Sequence, residues 1–221
     1  YSDFFLFWIL CHQSRFEGQR PESLWIEQWK KAAEDKGLRA LENLRPGVEK
    51  AIALLGAGLI AHPANSALRD KLGNGQLDKQ DFYKQILRII YRFLFLFVAE
   101  DRNLLHPPTV SRDARMRYLQ YYSMGRLRDL PFRHSGSAHS DLWSVFCLVF
   151  TKLGDDNGCP ELGLPSLGSF LWSPKATEDL NYSRVTNRIF LAAVRAVAFI
   201  HDGKTRRPVD YKNLGSEELG S

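Results

Sequence analysis

Apolar and polar positions alternate along this chain mostly with helical spacing, and most plainly so in "LDKQDFYKQILRIIYRFLFLFVAEDR". Phe82, Ile86, Ile89, Ile90, Phe93 and Phe97 recur at helical intervals, and the stretch holds neither Gly nor Pro. Asp78 stands where an N-cap belongs, with Asp81 three residues on, and Leu77 and Phe82 occupy the two positions of a hydrophobic staple. The pattern predicts one long helix from Lys79 to Arg102. From Phe93 to Val98 it is apolar all round, which predicts burial on every side. Arg88 and Arg92 interrupt the run before it reaches the roughly 18–20 apolar residues a membrane span needs. Six large apolar side chains at roughly 2 kcal/mol each make this the expected central helix of a soluble core.

The remaining pattern is also helical. Phe4 to Arg15 reads as one helix, followed by a turn near Gly18 to Pro21. "PESLWIEQWKKAAEDKGLRALENL" predicts a second helix, with Gly37 as the point where it could break and with Leu24, Trp25, Trp29, Ala32 and Ala33 on its apolar face. A third runs from about Pro46 to Ala61, a short one from Ala64 to Leu72, and "GNGQ" is a turn. Arg112 to Leu127 reads as one helix. "HSDLWSVFCLVFTKL" reads as another, with Leu142, Val145, Phe146 and Val149 inward. The Gly/Pro-rich stretch near 154–176 predicts an irregular segment packed on the surface. A last long helix is expected from about Ser183. β-signals are weak: this irregular segment and Pro208–Tyr211 could each hold a short strand at most. The expected fold class is therefore all-α, a multi-helix bundle around one long hydrophobic helix. We expect residues 1–221 to form a single helical domain, with 1–76 and 77–215 as the alternative division. Residues 216–221 read as the start of a truncated helix. The chain begins at Tyr1 rather than Met, and we expect it to be a piece of a longer protein.

Composition narrows the function class only a little. The 221 residues carry a formal net charge of +5. That is compatible with a nucleic-acid partner and decides nothing alone. Cys11, Cys147 and Cys159 form no C-x-x-C and no even framework, so a reducing, cytoplasmic setting is the expectation. "YSDFFLFWILCHQSRF" lacks the basic leader and small-residue cleavage site of a signal peptide.

Candidate chemistry begins where the long helix ends, at Glu100, Asp101 and Arg102. One reading is a catalytic acid pair. The other, which we favour, is a structural ionic cluster, because carboxylates at the negative end of a helix dipole need a specific partner. Arg112, Arg115 and Arg126 are the candidates, and Pro107 and Pro108 prevent the helix from continuing. "GAGLIA", Gly56 to Ala61, fits a dinucleotide fingerprint, but a helical pattern precedes it where a strand is required. Close helix packing is the better reading. "EDK", Glu34 to Lys36, has the form of a nuclease motif but lies on an amphipathic helix. Cys11 and His12 have no companion ligands at metal spacing, and His106, His134 and His139 have no obvious nucleophile partner. No residue is assigned a catalytic or metal-binding role. The basic excess has a location: Arg112, Arg115, Arg117, Arg126, Arg128 and Arg133 face only Asp113 and Asp129, with Tyr118, Tyr121 and Tyr122 interleaved. Arginine forks bind phosphate and tyrosine stacks beside it, so Arg112, Arg115, Arg117, Tyr121, Tyr122, Arg126 and Arg128 are the candidate DNA contacts.

Several blocks in order, "LRPGVEKAIALLGAGLI", "ILRIIYRFLFLFVAEDRNLL", "YLQYYSMGRLR", "DLW", "LGLPSLGSFLWSP", "NRIFLAAVRAV" and "VDYKNLGSEELGS", together resemble one family. It is that of large bacterial adenine-specific DNA methyltransferases of type II restriction–modification and phage-defence systems, including type IIG enzymes that fuse a nuclease to the methyltransferase. The resemblance implies the largely helical region just before the methyltransferase domain. It implies a parent that uses S-adenosylmethionine to methylate adenine N6 in double-stranded DNA, beside a methyltransferase domain and, in type IIG members, a nuclease domain. The family's glycine loop and adenine-pocket tetrapeptide are missing from these residues, so no catalytic role and no cofactor carries over to this stretch. The expectation is a non-catalytic helical scaffold that positions catalytic domains on DNA, without a membrane partner. The rivals are a self-contained enzyme built on Glu100 and Asp101, and a protein-interaction adaptor.

Overall fold

The computed structural model describes residues 2–17, 24–133, 136–202 and 205–212, the side chains at 2, 3, 6, 10, 32–43, 131–133, 201, 202 and 205 excepted. Its architecture is all-α with one small hairpin, as the periodicity predicts. The helices are α1 (Ser2–Cys11), α2 (Trp25–Ala61), α3 (Ser66–Gly73), α4 (Lys79–Asp101), α5 (Arg112–Tyr121), α6 (Met124–Arg133), α7 (Asp141–Leu153) and α8 (Asn187–Ala198). Two antiparallel strands follow, β1 (Phe199–Asp202) and β2 (Thr205–Pro208), with Phe199 opposite Pro208 and Asp202 opposite Thr205. The chain divides into two compact units, of which the larger is Leu44–Asn213. No single helix among the described residues is long and apolar enough to cross a membrane.

The smaller unit carries α1, where Phe4, Phe5, Phe7 and Trp8 are all exposed. After it, Arg15 donates from Nε to the Ile9 carbonyl at 3.2 Å and lays its guanidinium 5.5 Å from the Trp29 ring centre.

In the larger unit α4 is the central helix. Asp78 caps it by accepting the Gln80 N–H at 2.9 Å, and Leu77 and Phe82 are both buried as a staple requires. Asp81 pairs with Lys84 at 3.0 Å instead of closing a capping box. All six apolar residues read from the spacing are buried. Phe93 sits at the centre, its ring 4.7 Å from Phe146 and 5.9 Å from Phe190, and Phe97 stacks on Tyr211 at 4.9 Å. Burial on every side fails at two positions: Val98 is half-buried, and Phe95 is 39% exposed, its ring against Trp172 at the margin of the core. The helix ends before Pro107. Asn103 adopts a left-handed φ of 56°, and Leu104 donates back to the Ala99 carbonyl at 2.8 Å, a reversal that satisfies the last carbonyls.

Four sequence expectations need correction. The helix break at Gly37 and the separate helix from Pro46 become one helix, α2, with Pro46 inside it. Proline removes one hydrogen bond, and "LRALENLR" before it contains no Gly and is mostly strong helix formers, so the helix runs on. The single helix at 112–127 is two, split at Tyr122 and Ser123, because side chains are available to cap a new start there. The buried face of α7 is Trp143, Phe146, Val149, Phe150 and Leu153, rotated from the one read in sequence, with Leu142 and Val145 only partly buried. The last helix starts at Asn187, where Thr186 caps it, and stops at Ala198. "FIHD" then becomes β1, since its aromatic and β-branched residues suit a ladder that "TRRP" completes.

The irregular segment lies against α4, and much of it is interior. Cys159, Leu162, Leu164, Trp172 and Ala176 are buried, and 3₁₀ turns occupy Pro160–Leu162, Phe170–Trp172 and Pro174–Thr177. Four polar side chains hold it. Arg88 donates to the Ala176 carbonyl at 2.9 Å, Arg92 to the Leu171 carbonyl at 2.8 Å, and Gln85 to Asp179 at 2.8 Å. Lys71 of α3 reaches the same Asp179 at 2.6 Å. The two arginines that break the apolar run of α4 are thus the anchors of the segment crossing it. The helix start expected at 216–221 and the residue His134 lie outside the described residues.

Candidate functional site

The acidic tip of α4 meets the α5–α6 turn. Glu100 accepts three hydrogen bonds: from the Tyr118 hydroxyl at 2.6 Å, the Met124 N–H at 2.8 Å and the Gly125 N–H at 2.9 Å. The last two are orphan donors of the first turn of α6, so Glu100 caps that helix from another element. Ser123 adds a local cap, its Oγ accepting the Arg126 N–H at 3.1 Å. This pair of caps is why the chain stops and restarts a helix at 122–123. Tyr118 is fully buried, and its ring meets His106 edge-on at 5.1 Å. Burial raises the Glu100 carboxyl above its ordinary value, and the hydrogen bonds from Tyr118, Met124 and Gly125 offset part of that rise. Tyr118 is pushed up as well, by burial and by the carboxylate it faces.

Asp101 pairs with Arg128 at 2.8 Å, and the Arg128 guanidinium lies 5.0 Å from the Phe97 ring centre. Arg102 donates from Nε to the Lys212 carbonyl at 3.1 Å. The expected arginine partners, Arg112, Arg115 and Arg126, are not the ones used. Arg128 takes that role, and Glu100 takes a helix N-terminus instead of an arginine. The missed signal was that a chain break between two helices creates donors a carboxylate can satisfy. Neither Glu100 nor Asp101 lines the cavities at Arg92, at Phe95–Leu167 or at Val110–Pro165.

The candidate DNA contacts divide. Arg126 and Arg128 are half-buried, and Arg126 donates to the Tyr121 carbonyl at 3.1 Å. Tyr122 is half-buried where α5 ends. Arg112, Arg115, Arg117 and Tyr121 are exposed. Arg115 donates to Asn103 at 3.0 Å and Arg117 to the Glu161 carbonyl at 2.6 Å, one on each flank of the buried Ala114–Tyr118 stripe. None of the three arginines forms an ion pair among the described residues. They do not form a single basic face, because the outward side of α5 also carries exposed Met116 and Leu119.

The other sequence candidates resolve structurally. Gly56 and Gly58 lie inside α2, and a Cβ at Gly58 would meet Ile189 Cγ2 at 2.6 Å. These glycines serve helix packing, and they do not sit at the strand-to-helix turn that a dinucleotide fingerprint requires. Glu34 to Lys36 are helical within α2, their side chains outside the described set. Among the described residues no group of His, Cys, Asp and Glu is arranged to hold a metal. Cys11 is exposed and His12 pairs with Ser14 at 2.8 Å. His106 Nδ1 bonds to the Gly163 carbonyl at 2.9 Å, and His139 is exposed.

The chain matches no protein-family model, no curated protein and no solved structure.

Proposed function

We propose that this chain is a helical scaffold module of a site-specific adenine DNA methyltransferase of the type II class, positioning catalytic domains on DNA. The observation that carries the scaffold reading is the use made of the acidic tip. Glu100 is spent on capping α6 and on Tyr118, and Asp101 on Arg128, so both carboxylates tie α4 to α6. An enzyme built on this pair would need one of them open to substrate. The link to DNA modification rests on the sequence resemblance, and the S-adenosylmethionine chemistry belongs to the proposed parent. The exposed arginines of α5, with Tyr121 beside them, supply the phosphate contacts on this reading.

The test is a titration of the protein against duplex DNA over a series of salt concentrations. Replacing Arg112, Arg115 and Arg117 together with Ala should flatten the slope of log affinity against log salt by about 0.9 per lost phosphate contact. A slope identical to that of the unaltered protein rejects DNA contact by these residues. Arg128 is left intact in this experiment because its loss would break the Asp101 pair and confound binding with folding.

A further inference from the structure

The charge that α4 does not neutralise lies two turns before its acidic tip. Arg92 is 4% exposed. A guanidinium carries five N–H donors. Three are used, to the Leu171 carbonyl at 2.8 Å, Thr177 Oγ1 at 3.2 Å and the Ser173 carbonyl at 3.3 Å. One N–H remains on each Nη nitrogen. All three acceptors are neutral, and Arg92 forms no ion pair among the described residues. Burial lowers its pKa to about 10, and Arg88 one turn away adds repulsion, so at neutral pH the site is still cationic.

This cation lines a cavity of about 230 Å³, and none of the lining residues is acidic. Trp143, Phe150 and Trp172 are its aromatic lining. The Arg92 guanidinium stacks on two of them, 4.9 Å from the Phe150 centre and 5.9 Å from Trp172. Trp143 offers only its ring, because its N–H is committed to the Ser183 carbonyl at 2.8 Å. Cys147, half-buried, contributes a thiol that desolvation pushes up to about 12. It stays protonated and forms wall, not nucleophile. The Thr177 hydroxyl donates a hydrogen bond to Asn181 Oδ1 at 2.9 Å, and Asn181 Nδ2 donates to the Pro174 carbonyl at 2.8 Å. That chain of bonds fixes the polar rim in place. Tyr182 at the mouth is 96% exposed. A cavity of roughly 150 Å³ is enough to lodge benzene, so this one has room for a single ring with a substituent.

We infer that the cavity between α4, α7 and the 170–182 segment binds a small planar-ring carboxylate, its anion on the free N–H groups of Arg92 and its ring against Trp143, Phe150 and Trp172. A buried cation without a counter-ion is costly, and an incoming anion supplies the missing partner. The apolar walls favour a ring over a bare, strongly hydrated ion. This inference does not depend on the scaffold reading or on DNA contact.

The probe is benzoate, followed through the indole N–H resonances of the ¹⁵N-labelled protein, with benzyl alcohol and inorganic phosphate as controls. Benzoate should shift the Trp143 and Trp172 signals saturably and leave Trp8, Trp25 and Trp29 in place. Benzyl alcohol, which fills the same volume without charge, should bind at least about tenfold more weakly. Thr151→Phe, at the exposed rim, should abolish the benzoate shifts without changing the unfolding midpoint. Arg92→Lys, which keeps the charge and loses the fork, should weaken benzoate about tenfold. Absence of a saturable benzoate shift overturns the inference. So do equal affinity for benzyl alcohol, equal affinity for phosphate, or binding that survives Thr151→Phe.

Discussion

Arg92 and Glu100 sit on the same helix, about two turns apart, and both carry charge into the protein. Around Glu100 the neighbours are complementary: a tyrosine hydroxyl, two backbone N–H groups at a helix N-terminus, and Arg128 next door on Asp101. Around Arg92 they are carbonyls, one hydroxyl and aromatic faces, with a cavity beside them and no acid. One charge is closed off by the fold and the other is left open to a partner. The difference separates two uses of a buried ionic group. A fully hydrogen-bonded one specifies how elements dock, and an incompletely matched one is available for recognition.

The sharpest way to break this contrast is to remove the closed charge. Glu100→Leu leaves the buried Tyr118 hydroxyl and two N–H groups of α6 without acceptors, and we expect a loss of about 3–5 kcal/mol in urea unfolding. A loss under about 1 kcal/mol would mean that the cap is incidental. Arg92→Met should cost less, about 1–3 kcal/mol, because it strands three neutral acceptors but also relieves an unpaired buried cation. If Arg92→Met proved the more damaging, the arginine would be principally a clamp on the crossing segment. Tyr118→Phe keeps the ring in the core and deletes one charge-assisted bond, and it should cost about 1.5–3 kcal/mol at neutral pH. A neutral result there would place the strength of the site in the two backbone donors alone.

How much of this was legible in the sequence depends on whether the determining interaction is local. The spacing of Phe82 to Phe97 gave the central helix, because 3.6-residue periodicity is a property of one segment, and the Asp78 cap and its staple are equally local. The structural role of Glu100 was also within reach, since a carboxylate at the wrong end of a helix dipole demands a partner. Its partner was not. Met124 and Gly125 donate only because the chain breaks at Tyr122, and that break is itself set by the carboxylate 24 residues upstream in Met124's case. Arg88 and Arg92 read as interruptions of an apolar run. Together with Gln85 they form a polar stripe at helical spacing, and that stripe was the available signal that something crosses α4 there. The Cys147 and Trp172 walls come from segments far apart in sequence, so no window could have assembled the cavity.

The smallest expected effect is the most discriminating about Glu100, because it depends on the sign of a shift. Burial raises its carboxyl above the ordinary 4.5. The folded state therefore holds that proton at pH values where the unfolded chain has lost it. The corresponding stability is fully present below pH 4.5 and is lost as pH rises through the folded value, with a slope of at most about 1.4 kcal/mol per pH unit. Asp179 runs the other way. Its partial burial would raise it, but the bonds from Lys71 and Gln85 hold it below the ordinary 3.8. Its contribution is present above 3.8 and is lost as pH falls through its folded value. Unfolding curves of the unaltered protein, Glu100→Gln and Asp179→Asn from pH 3 to 7 separate the two. The stability advantage of the unaltered protein over Glu100→Gln should shrink as pH rises from 4.5, whereas its advantage over Asp179→Asn should shrink only at the acidic end. An advantage over Glu100→Gln that grew with rising pH would mean that the α6 N-terminus and Tyr118 overcome desolvation, and that the site binds its charge more tightly than burial penalises it.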